Sequence, residues 1–111
     1  MAVDPTFQSP YFGRNVSLVT LSTPVRLVTL MQAIDPHVPE ACSYLRLYGD
    51  DANTTSVFIG DDSVSGTNFA YPLAAKAFVE YESSGPIQQV PLGRLVVWTS
   101  AAAVLHVEMI A

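Results

Sequence analysis

Read for hydrophobic and polar positions, the chain is organised by a two-residue alternation that stops and restarts along its length. Ser43 to Tyr48 is the plainest case, with Leu45 and Leu47 on one face and Tyr44, Arg46 and Tyr48 on the other. Val57 and Ile59 share a side that Phe58 points away from. Val79 and Tyr81 oppose Phe78, Glu80 and Glu82, the pattern of a half-exposed strand. Further upstream, Val16, Leu18 and Thr20 alternate with Ser17, Val19 and Leu21. Near the end, Leu95 to Thr99 and Val104 to Ile110 are parted by Ser100-Ala101-Ala102-Ala103. They read as a hairpin, with Leu95 and Val97 inward on one arm and Leu105, Val107 and Met109 inward on the other.

One segment admits two periods. Val25 to Met31 reads as a strand after the Ser22-Thr23-Pro24 turn, yet Leu27, Leu30, Met31 and Ile34 fall at the i, i+3, i+4 and i+7 positions of a helix face. β-branching at Val25, Val28 and Thr29 and the stop at Asp35-Pro36 favour the strand. Asp35 to Glu40, with two prolines in six residues, is a loop, Gly49 to Asn53 an acidic turn and Ser83-Ser84-Gly85-Pro86 another turn. Ile87 to Val90 adds a short apolar run before Pro91-Leu92-Gly93. Roughly seven or eight short strands at this spacing predict an all-β fold, a jelly-roll-like antiparallel β-sandwich.

Residues 1–15 lie outside the alternation. Pro5, Pro10 and Gly13 break any period, so the reading is an extended arm ahead of a sandwich domain spanning 16–111. Disordered tails are poor in aromatics, so Phe7, Tyr11 and Phe12 are candidates for contacts that order this arm against another subunit.

At 111 residues, one domain with one core is expected. Half of the residues are hydrophobic and 14% are charged, leaving apolar surface for an interface. Five basic residues against ten acidic give a net charge of -5, the wrong sign for neutralising phosphates, and nucleic acid is excluded as a partner on that ground. Arg14, Arg26, Arg46, Lys76 and Arg94 are scattered, so no polybasic patch offers itself to a membrane. The single Cys42 precludes an internal disulfide, and MAVDPTFQSP lacks the charge-then-apolar order of a signal peptide. A chain made in the cytosol is expected.

Candidate chemistry is sparse. His37, between Pro36 and Val38, and His106, outward on the last strand, have no neighbours at zinc-ligand spacing. Asp51 to Thr55 followed by Asp62 partly matches a calcium loop, but Ser56 stands where that loop needs glycine and Val57 to Ile59 already reads as a strand. No Gly-x-Ser-x-Gly elbow occurs. The two formal glycosylation sequons, at Asn15 and Asn53, read as chance matches without a signal peptide. No catalytic, cofactor-binding or metal-ligating residue is assigned. Among the aromatics, Trp98 alternates to the side away from Leu95 and Val97, and Val96 shares that side. Both are candidate dimer contacts, against the alternative that a loop covers this face.

The run Val57-Phe58-Ile59-Gly60-Asp61, then Ser63 to Asn68 and Leu73, followed by Pro91 to Val97 and Leu105-His106-Val107-Glu108, resembles a signature of small phage structural proteins. From Val16 onward the chain resembles the capsid decoration, or staple, proteins of epsilon-type Salmonella podoviruses. It departs from them at Ala75-Lys76-Ala77, where a glycine often marks the turn. The resemblance implies a jelly-roll sandwich on the outer surface of the virion capsid, a homodimer bridging units of a separate major capsid protein, and no catalytic residues. The rival expectation is a carbohydrate-binding module or adhesin on a virion surface, with Tyr44, Tyr48 and Phe58 as its sugar platform.

Overall fold

The computed structural model describes residues 11–18, 23–83 and 90–110. Among the described residues, eight strands form two four-stranded antiparallel sheets. They are β1 (Tyr11–Leu18), β2 (Val25–Arg26), β3 (Tyr44–Gly49), β4 (Val57–Gly60), β5 (Tyr71–Leu73), β6 (Phe78–Glu82), β7 (Val96–Trp98) and β8 (Ala103–Ile110). One sheet runs β1-β8-β3-β6 and the other β2-β7-β4-β5. The first strand pairs with the last, the second with the seventh, the third with the sixth and the fourth with the fifth. This is one long hairpin rolled up, and the rolling adds the β3·β8 and β4·β7 ladders. The fold is a jelly roll.

Alternation decides which side chains enter the space between the sheets. Leu45, Leu47, Val57, Ile59, Leu105 and Val107 are buried, and Tyr44, Arg46, Tyr48 and Phe58 point outward. Each fully buried aliphatic side chain contributes about 1.5–3 kcal/mol relative to an exposed one. The inward residues anticipated for the last two segments hold their places, but the segments do not form a hairpin. β7 lies in one sheet and β8 in the other. The link Thr99 to Ala102 crosses the edge of the sandwich, and buried Thr99 steadies it by donating its hydroxyl to the Ala101 carbonyl at 2.7 Å.

Two further expectations are corrected. Extension after Pro24 lasts only through Arg26, and Leu27–Gln32 is helical, α1. Its Leu27, Val28 and Met31 are buried against the 3₁₀ turn Leu92–Arg94, and the Leu27 N–H donates to the Leu95 carbonyl at 2.9 Å. Burial of the i, i+4 pair outweighs the β-branched preference of Val28 and Thr29. The second correction is at the N-terminus. β1 begins at Tyr11 and not at Val16, in register with β8 from Tyr11 opposite Ile110 to Leu18 opposite Ala103. Phe12, only 5% exposed, belongs to the main core. Gly13 and Arg14 interrupt the hydrophobic pattern here without interrupting the ladder. The segments assigned to Val19–Ser22 and to most of Ile87–Val90 lie outside the described residues; Val90 itself bridges Cys42.

The corner between β5 and β6 is tight. Gly49 faces it so closely that a Cβ there would sit 2.3 Å from the Ala74 carbonyl oxygen. Lys76 takes φ 66°, the left-handed conformation that glycine adopts without strain. The turn therefore keeps the geometry glycine favours, although the glycine is absent.

Candidate functional site

The outward faces of the two sheets differ in kind. On the β2-β7-β4-β5 sheet, the loop between β4 and β5 folds back over the strands. It is built from its own polar side chains: the Asp61 carboxylate accepts from the Ser63 N–H at 2.9 Å and hydroxyl at 2.7 Å, and the Asn68 amide donates to the Ser63 carbonyl and hydroxyl. These bonds from Ser63 hold the Asp61 carboxyl below its ordinary pKa. The loop places Val64 over Gly60, where a Cβ would come within 3.1 Å of it, and Gly66 beside the Trp98 ring. Val96, directly opposite Gly60 across the ladder, is 2% exposed.

Val96 is thus buried within its own chain and is not available as a dimer contact; the covering loop is the alternative that holds. Trp98 is half-buried, with its ring 5.7 Å from Phe58, and Phe58 is 4.9 Å from Phe69. The Phe58 ring is tilted against both neighbours, and Phe69 is the exposed member.

The outer face of the β1-β8-β3-β6 sheet is polar and cross-linked. The Tyr44 hydroxyl donates to Glu80 at 2.6 Å, which pushes the phenol up to about 12, and the Tyr48 hydroxyl donates to Asp51, which also raises its pKa. Both phenols therefore stay neutral donors. The Arg46 guanidinium lies 4.9 Å from the Phe78 ring centre and 5.9 Å from that of Tyr48, within cation–π range. His106 is held from both sides: its Nε2 is 2.7 Å from an Asp50 oxygen, and its Nδ1 meets the side-chain oxygen of Asn15. The bond from His106 lowers the Asp50 pKa. With both ring nitrogens engaged, neither is left to activate a nucleophile. The sequence placed His106 outward correctly but carried no signal for these partners, which lie 56 and 91 residues away.

The remaining candidates are distributed as follows. Phe7 lies outside the described residues, and Tyr11 supplies the first backbone position of β1. Phe12 is a core residue and presents no surface for a capsid contact. Tyr44 and Tyr48 are on one outer face of the sandwich and Phe58 is on the other, so the three do not make a single sugar platform. His37 is exposed in its loop. Cys42 is fully buried, and that burial raises its thiol pKa, leaving it a packing residue. Among the described residues, no three His, Cys, Asp or Glu side chains converge as a metal site, and no helix is long and apolar enough to cross a membrane. Compared with protein-family models, with curated proteins and with solved structures, the chain matches none.

Proposed function

We propose that the protein is a non-enzymatic decoration protein of a phage head, a homodimeric staple on the outer surface of the capsid that bridges neighbouring major capsid protein subunits. The observation that supports the reading is the rolled-hairpin strand order, first strand beside last, taken with the resemblance carried by Val57 to Asp61, Ser63 to Asn68, Leu73, Pro91 to Val97 and Leu105 to Glu108. Jelly rolls host many functions, so the topology alone does not choose among them and the signature residues are needed beside it. The mechanism is mass action. A protein that binds the assembled shell and not its separated subunits stabilises the assembly by RT ln(1 + [L]/Kd) at every site.

The carbohydrate-binding alternative is weakened by the separation of Tyr44 and Tyr48 from Phe58 on opposite faces. The test is co-sedimentation of the purified protein with phage heads assembled without it, beside the same protein on a glycan array. Saturable binding to heads, none to unassembled subunits and none to glycans is the expected result. Glycan binding without head binding would replace the staple with the alternative.

A further inference from the structure

A jelly roll has four sheet edges, and each exposes backbone donors and acceptors that invite another strand. Three of them here are blunted. β2 is two residues long before the chain turns helical. β5 is three residues long with Pro72 at its centre, which has no N–H to offer. β6 carries exposed Glu80 and Glu82. β1 is different: it has eight residues, no proline and no acidic side chain, and among the described residues no strand pairs with its outer edge.

Which groups face that edge follows from the ladder. The Asp50 N–H donates to the Val104 carbonyl and the Ser43 N–H to the Ile110 carbonyl, so the even-numbered residues of β8 turn their backbone groups toward β3. The odd-numbered ones therefore face β1, and they stand opposite Phe12, Arg14, Val16 and Leu18. The N–H and C=O groups of Gly13, Asn15 and Ser17 consequently point away from the sheet. Their side chains are small and uncharged, so a second backbone can approach to the usual strand spacing. A hollow of about 200 Å³ lies on the neighbouring sheet face, over β8 and β3, and not at the edge itself, so the edge is free for backbone pairing.

We propose that the outer edge of β1 is the docking edge for a second copy of this chain, β1 pairing antiparallel with its twin about a two-fold axis. The two β1-β8-β3-β6 sheets then become one continuous sheet of eight strands. Self-pairing is selected over pairing with the other edges by their blunting and by symmetry. β1 against the acidic β6 of the next molecule is a head-to-tail contact that closes only if its rotation completes a ring, whereas β1 against β1 closes at two. The inference rests on the homodimer in the proposed function and names its interface.

The test is sedimentation equilibrium together with hydrogen exchange on the full chain. The Ser17→Pro variant removes an edge-facing donor and leaves the bonds from β1 to β8 intact. With the lost bond counted once in each copy, it weakens self-association about tenfold or more. In the unaltered protein, the amides of Gly13, Asn15 and Ser17 gain exchange protection as concentration rises through the dimer dissociation constant. Three results overturn the proposal: a protein monomeric throughout, a dimer unaffected by Ser17→Pro, or edge amides equally protected at the lowest concentration, which would mean another part of the same chain covers them. Head binding is scored separately, so a monomer that still decorates heads removes this interface and not the staple.

Discussion

Replacing Phe12 with alanine separates a core strand from a loose arm. Phe12 is 5% exposed, sits opposite Met109 in the β1·β8 ladder and belongs to the same buried cluster as Leu45 and Leu105. Truncating a buried phenylalanine to alanine costs about 3–5 kcal/mol, the removed transfer energy plus the cavity left behind. The site is the second residue of an edge strand, where neighbours have some freedom to close the gap, so the lower end of about 3 kcal/mol is expected. For a domain of this size that lowers the melting temperature by roughly 10 °C or more. The assay is urea unfolding followed by tryptophan fluorescence, with the midpoint falling and the slope unchanged. Phe78→Ala is the matched control, since Phe78 is 50% exposed and its loss stays within about 1 kcal/mol. A Phe12→Ala loss no larger than that of Phe78→Ala would return Phe12 to a mobile arm.

Three further outcomes follow from particular geometries. Gly49→Ala destabilises by about 1–3 kcal/mol in the same assay, because its Cβ meets the Ala74 carbonyl and backbone must move; unchanged stability would refute the close approach. Lys76→Gly stabilises by about 1 kcal/mol by releasing a left-handed lysine, and a loss would mean that the turn is not held at positive φ. Asp50→Asn tests the His106 clasp through pH. The Asp50 pKa is lowered by His106, so its contribution is present above the ordinary carboxylate pKa of about 4 and is lost as pH falls through the lower folded value. The stability gap between variant and parent in thermal melts therefore narrows on acidification, and a gap that widens would refute it.

Much of this fold was readable because strand burial has a period of two. β3, β4, β6 and β8 each show it: spacing alone groups the residues that share a face in all four and names the inward ones of β8. What escaped depends on contacts between distant segments. α1 is helical because Leu27, Val28 and Met31 meet the turn at Leu92, a fact absent from residues 25–34 themselves. Gly13 and Arg14 hide the start of β1, whose pairing is fixed by β8 nearly a hundred residues later. Val96 and Trp98 were placed on the correct side of their strand, but the loop that covers them has no periodicity to announce it. The tyrosine, arginine and histidine cross-links of the other face are set largely by register across four strands, and local sequence does not encode register.

The staple reading is tested most directly by cryo-electron microscopy of phage heads assembled without this protein and then incubated with it. The account predicts paired sandwich-shaped densities on the outer surface, each pair spanning a boundary between capsid subunits, and heads that resist disassembly better than bare ones. Heads whose outer surface is unchanged at saturating protein would contradict it.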